Sequence, residues 1–172
     1  MPGRPQQIES EAALYEAAIK VLMRRAHSVM EMKKALLRRC SDDKLIRNVV
    51  DRLKREGLVD DARYAKQFAR QRALSRKQGK FRIARELRAR GVQDNHIEAA
   101  LEANAEETDE TALVRQRIER KLKLLRGEFD EKRIASLYRS LLRAGFSSDV
   151  IRRELQRVTR GDVEEMEAGE QE

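Results

Sequence analysis

The sequence repeats itself, and the repeat limits what it can fold into. Sliding GVQDNHIEAAL (91–101) forward by 54 positions lays it on GFSSDVIRREL (145–155), so that Gly91 meets Gly145, Val92 meets Phe146, Ile97 meets Ile151 and Leu101 meets Leu155. Ile83 and Leu87 fall in the same way on Leu137 and Leu141. Sliding backward by 51 places Leu87 on Leu36, Ile97 on Ile46 and Leu101 on Val50, and Cys40 stands where the other copies have their turn glycine. Units of this length whose apolar positions superpose point to a repeat array, in which each unit buries its stripe partly against a neighbour.

Each unit reads as three helices. In the first, Leu14, Ala17, Ala18, Val21 and Leu22 predict a helix over 9–24. Ser28 caps a second with Glu31 completing a capping box, and a third runs over 43–56 to Gly57. In the second, Asp60 caps a helix over 61–77, a helix over 80–90 stops at Gly91, and 94–104 follows. In the third, 109–126 precedes a helix capped by Asp130, with Phe129 and Ile134 as a hydrophobic staple; it ends before Gly145, and Ser147 caps 148–159. No stretch alternates with period two. Charged residues make up 40% of the 172 positions and aromatics 4%, which suits exposed helices that each bury a narrow stripe. The expectation is an all-α fold without β-sheet: an elongated tandem array of three three-helix repeats at 9–57, 58–106 and 107–160, then an acidic, disordered tail at 161–172.

Charge is laid out in blocks. Eleven bases against two acids give +9 over 61–91, seven acids and no base give −7 over 92–114, and fourteen bases against six acids give +8 over 115–160. Basic blocks attract polyanions by neutralising phosphates and releasing counterions. On helix 61–77, Tyr64, Ala65, Phe68 and Ala69 cover one side, while Arg63, Lys66, Arg70 and, if the helix persists, Lys77 fall on another. Lys80 opens the next helix, where Ile83, Ala84 and Leu87 face inward, Arg82 and Arg85 face out and Arg88 flanks them. In the last unit Arg139, Arg143, Arg152, Arg153 and Arg157 supply a second basic set. These thirteen residues are the candidate contacts for an anionic polymer. Arg72 falls on the apolar side and reads as a brace to Glu86, Asp61 or the next turn. The acids of 92–114 read as a solvated linker.

Catalytic constellations are not apparent. His27 and His96 have no Cys, His or acidic partner at metal-ligand spacing, and neither phosphate-loop nor nucleophile-elbow motifs occur. Cys40 is the single cysteine and reads as a small buried hydrophobe of a reducing compartment. There is no long apolar run for a membrane and no secretory h-region in MPGRPQQIES. An alternative is a helix-turn-helix DNA-binding transcription regulator, suggested by RIARELRARGVQDNHIEAAL. Its groove-entering helix would carry Asp94, Glu98 and Glu102 and no base, which phosphates would repel.

The run Arg25, His27, Ser28, Glu31, then GLVDDARYA (57–65) with Phe68 and Arg72, then GKFRIARELRARGV (79–92) with Ile97 and Leu101, resembles the bacterial RecX regulatory proteins over nearly the whole chain. Departures are Met32 in place of leucine, Gln93 in place of serine, and a longer acidic joint at 102–111. The resemblance implies a monomeric, cytoplasmic, non-enzymatic modulator of the RecA recombinase that needs no cofactor. Such a protein would bind the RecA–single-stranded DNA filament along its groove. It would inhibit the filament's ATPase, strand-exchange and co-protease activities, and meet single-stranded and duplex DNA without strong sequence preference.

Overall fold

In the computed structural model, residues 7–124 and 130–169 are described, with 159–169 as backbone alone. They form nine helices and no strand: α1 (Glu11–Leu22), α2 (Val29–Leu37), α3 (Asp43–Arg55), α4 (Asp61–Arg76), α5 (Lys80–Ala89), α6 (Asp94–Glu107), α7 (Glu110–Leu124), α8 (Glu131–Arg143) and α9 (Ser148–Gly169). The fold is all-α. Packing divides the chain into two compact units. Among the described residues, one holds those up to Phe68 together with Glu86–Ala100, and the other holds Ala69–Arg85 and those from Leu101 onward. The three middle helices, α4, α5 and α6, thus each contribute residues to both.

The same helix stop recurs in these units. After α3, α5 and α8 a glycine adopts positive φ: Gly57 at 66°, Gly91 at 72° and Gly145 at 90°. In each case the next residue's N–H bonds the carbonyl four positions before the glycine: Leu58 to Leu53 at 2.8 Å, Val92 to Leu87 at 3.2 Å and Phe146 to Leu141 at 3.3 Å. The turn satisfies carbonyls that the helix would leave open and drops an apolar side chain back into the core. Val59, Val92 and Phe146 are all buried. In the first copy, where Cys40 replaces the glycine, α2 ends at Leu37 with Arg38 still in the right-handed region.

The first unit packs α1, α2 and α3 around Leu14, Met32, Leu36, Ile46, Val49, Val50 and Leu53. Cys40 is buried there, its sulfur 3.4 Å from the Asp42 backbone nitrogen. The predicted capping box is present: Ser28 Oγ accepts from Glu31 N at 3.1 Å and Glu31 Oε2 accepts from Ser28 N at 3.2 Å. At the surface, Tyr15 donates to Glu56 at 2.5 Å and Arg52 lies 3.9 Å over the Tyr15 ring while pairing with Glu56, tying α1 to α3.

The second unit has its own core of Val114, Ile118, Leu137, Leu141, Phe146, Val150, Ile151 and Leu155, carried by α7, α8 and α9. A forked pair crosses it: Arg115 Nε and Nη2 donate to Glu154 Oε2 and Oε1 at 2.8 and 3.2 Å. The turn before α5 is pressed against the turn after α8. Gly79 N–H bonds Ala144 O at 2.9 Å and Phe81 N–H bonds Gly145 O at 3.1 Å. A Cβ on Gly79 would come within 2.2 Å of the Gly145 carbonyl oxygen, so only glycine fits.

Several expectations about element ends need correction. α4 stops at Arg76, and Lys77 takes a left-handed φ of 50° instead of continuing the helix. The chain must turn there to bring Gly79 onto the 144–146 turn. The acids of 92–114 are not a linker. α6 runs to Glu107 and α7 begins at Glu110, because EANAEE is made of good helix formers apart from Asn104 and extending a helix costs no new nucleation. For the same reason α9 continues through VEEMEA to Gly169, past the 159 at which the apolar stripe ends. Of the proposed staple, Phe129 lies outside the described residues, while Asp130 does cap α8 through the Arg133 N–H at 2.8 Å.

Candidate polyanion-binding surface

The thirteen candidate bases divide between the units. In the first, Arg63 turns back and donates to the Gly57 carbonyl. Arg88 pairs with Asp94 at 2.6 Å. Lys66 is exposed and has no ion pair with another described residue. In the second unit, Arg70 pairs with Glu107 at 3.2 Å and Lys80 with Glu110 at 4.0 Å. Arg157 reaches Glu154 at 4.0 Å. Arg85, Arg139, Arg143, Arg152 and Arg153 are exposed, whereas Lys77 and Arg82 are half-buried. Arg82 does not simply face out: its backbone and Cβ lie where a side chain on Gly145 would have to go.

The acidic run therefore returns to the basic one. Asp94, Glu107 and Glu110 each answer a base that precedes them in the chain. The block charges of the sequence overstate the local field, since Arg70, Lys80 and Arg88 each carry a counter-charge from the acidic run. These pairs are solvent-exposed, of a kind worth roughly 0–1 kcal/mol each, and a polyanion could exchange with the carboxylates at small cost.

On α8 and α9, Arg139 and Arg152 come together across a groove of 360 Å³ floored by Ile134, Ala135, Tyr138 and Leu155. Sequence reasoning placed both arginines in one basic set but gave no hint of the apolar floor between them.

Arg72 is half-buried, as its position on the apolar side implies. Asp61, one of its expected partners, instead accepts the Val29 N–H at 2.8 Å and helps to cap α2. Around that cap the first unit assembles a closed polar cluster. Arg25 forks onto both oxygens of Glu31 at 3.1 and 3.2 Å. Ser28 Oγ donates to Arg90 O at 2.6 Å. Arg90 lies 3.9 Å from Glu31 and 4.7 Å over the Phe68 ring. Burial pushes the Glu31 carboxyl up, but the hydrogen bonds from Arg25 and Ser28 outweigh it and hold the group below the ordinary glutamate range.

Two residues outside the candidate set stand out in the second unit. Arg117 lies 5.7 Å over the Phe146 ring, with Nη2 3.5 Å from Arg76 O and with Nε buried without a hydrogen-bond partner. Burial, then the like charges of Arg120 and Arg82, pull its guanidinium below the usual arginine value. The position was readable: residue 117 falls three after Val114 and one before Ile118, on the edge of the apolar stripe. Phe81 is 59% exposed although its backbone is pinned. Among the described residues no group of His, Cys, Asp and Glu could hold a metal ion, and no helix is long and apolar enough to cross a membrane.

Comparison with known proteins places this architecture. Family profiles described as the second and third three-helix domains of RecX match residues 60–101 and 107–155. The regulatory protein RecX of Halorhodospira halophila is 36% identical over 141 residues, covering 81% of this chain and 84% of that one. The regulatory protein RecX of Thermobifida fusca is 33% identical over 130 residues, 76% of this chain and 70% of the other. Among solved structures, RecX from Lactobacillus salivarius superposes with a TM-score of 0.69 at 22% identity, over 87% of this chain and 96% of that one.

Proposed function

The chain belongs to the RecX family, and from that premise we propose that it is a regulator of the RecA recombinase. In this reading it binds the RecA–single-stranded DNA filament in the cytoplasm and inhibits its ATPase, strand-exchange and co-protease activities without chemistry of its own. The helices group as three repeats, 9–57, 58–106 and 107–160, and act as a rack for cations.

The observation that supports this most is the kind of cation on display. Arg85, Arg139, Arg143, Arg152 and Arg153 are exposed arginines held on helices, and they form no ion pair with another described residue. Guanidiniums suit both phosphates and carboxylates, the two anionic groups of a nucleoprotein filament. Contacts that are individually weak become useful when many act at once on a polymer, because each bound contact raises the effective concentration for the next. A sequence-reading regulator is disfavoured by α6, whose exposed Asp94 and Glu98 would face the phosphates of a major groove.

The test is RecA's ATPase on single-stranded DNA, with and without this protein. Inhibition is expected. Reversing Arg85→Glu together with Arg152→Glu should weaken it at least several-fold while leaving the helical circular dichroism signal unchanged. A folded wild-type protein that leaves RecA turnover untouched would refute the proposal. Sequence-selective duplex binding in the absence of RecA would favour the transcription regulator instead.

A further inference from the structure

Phe81 is anomalous for an α-helical surface. It is the one exposed aromatic side chain among the described residues. It takes no part in the stripe that α5 buries, Ile83, Ala84 and Leu87. Its mount is rigid: its own N–H is bonded to Gly145 O, and Gly79 just before it is bonded to Ala144 O. A large apolar ring is thus fixed in water at a spot where the fold gains nothing from it. Lys80 Nζ stands 5.4 Å from the ring centroid, Arg82 follows it in the chain, and Arg85 lies one helical turn on.

Arg117 is anomalous in the complementary way. Its neighbours in charge are Arg82 and Arg120, both of its own sign, and its Nε has no hydrogen-bond partner. Like charges gathered around a half-buried guanidinium add no stability by themselves. They become favourable once an anion with several oxygens sits among them. A carboxylate offers one such group. A nucleic-acid strand offers a phosphate and, a few ångströms away, a flat base. The pairing of a guanidinium cluster with an exposed aromatic ring matches that second ligand, as in proteins that hold single strands by stacking and by backbone charge.

We propose that the elbow between α4 and α5 is a single-stranded nucleic-acid site, in which the Phe81 ring stacks on a base while Arg82, Arg117 and Arg120 take the adjoining phosphates. This rests on the filament reading and names the point at which the protein meets the strand. Duplex DNA, whose bases are stacked on each other, cannot use the ring.

The chain has no tryptophan, so Phe81→Trp introduces a lone indole, excitable apart from the tyrosines, at an exposed position. An oligo(dT) of about 12 nucleotides should quench it on binding, as stacked indoles are quenched, whereas an abasic oligomer of the same length should bind without quenching. Phe81→Ala should lose about tenfold in affinity for the oligo(dT) and nothing for the abasic strand. Arg117→Gln should weaken both and flatten the slope of log affinity against log salt by about 0.7. An indole unchanged at saturating oligo(dT), or an unchanged affinity in Phe81→Ala, overturns the site. So does a blue shift on adding RecA without DNA, which would make Phe81 a protein-docking residue. The Phe81 arms hold even if Arg117→Gln does not fold. If the oligonucleotide arms fail while wild-type protein still inhibits RecA's ATPase, this site falls and the filament reading stands. Oligonucleotide quenching without ATPase inhibition keeps this site and removes the filament reading.

Discussion

Arg90 in the first unit and Arg117 in the second both lie over a phenylalanine ring, at 4.7 and 5.7 Å, and both reach a carbonyl, Glu86 O at 2.7 Å and Arg76 O at 3.5 Å. What separates them is an acid. Arg90 has Glu31 within 3.9 Å, and Glu31 is itself held by Arg25 and by the cap of α2. Arg117 has Arg82 and Arg120. With a carboxylate beside it, a half-buried guanidinium is a strut that locks helices together. Without one, the same group on the same kind of ring is left electropositive, as the proposed strand-binding site requires. Two arginines in similar settings can therefore serve stability in one unit and binding in the other, and the sign of the neighbours decides which.

The largest expected effect separates the units by backbone packing. Gly79→Ala drives a Cβ into the Gly145 carbonyl and should cost the second unit about 3 kcal/mol in urea unfolding. Gly91→Ala meets positive φ and Met30, whose Cβ would lie 2.6 Å away, and should cost the first unit about 2 kcal/mol. Equal losses would mean the 79–145 contact is not rigid. Next comes the forked pair of the second unit. Glu154 is 8% exposed and Arg115 39%, so Glu154→Gln should destabilise by about 2 kcal/mol, less than for a fully buried pair. The hydrogen bond from Arg115 holds the Glu154 carboxyl below the ordinary glutamate range, against the opposing push of burial. A depressed folded value means the stabilisation is complete above the unfolded value and lost as pH falls through the folded one. Unfolding measured from about pH 6 to about pH 2 should therefore show a shallower acid decline in Glu154→Gln than in the wild type. The smallest effect addresses the comparison itself. Glu31→Gln removes the acid that distinguishes Arg90 from Arg117. It should cost about 1 kcal/mol through the weakened cap and raise retention on immobilised heparin, because Arg25 and Arg90 lose their counter-charge. Unchanged retention would show that the neighbour's sign is not what decides.

Much of the fold was legible because helix stripes and stops are local. Ser28 with Glu31, Asp60, Asp130 and Ser147 all cap as their spacing requires, and Gly57, Gly91 and Gly145 turn where the apolar stripes before them stop. What was not legible depends on contacts between distant residues. Lys77 turns left-handed although lysine carries no such signal; the close approach of Gly79 to Gly145, 66 positions on, forces it. Glu107 and Glu110 looked like linker acids because charge counted along the chain does not report that Arg70 and Lys80 lie beside them in space. Arg117 was within reach. The reasoning that singled out Arg72 on the apolar side of its helix applies equally to a base flanked by Val114 and Ile118. The ring of Phe146 beneath it was not.

The single thiol sits in one unit only. Cys40 is 1% exposed within the first core, and the second unit has no sulfhydryl at all. An alkylating reagent in native buffer can reach that sulfur only when the first unit opens, so the rate of labelling is a clock for its breathing and blind to its companion. Run beside a global unfolding curve, such a clock would tell whether the two halves melt together or apart.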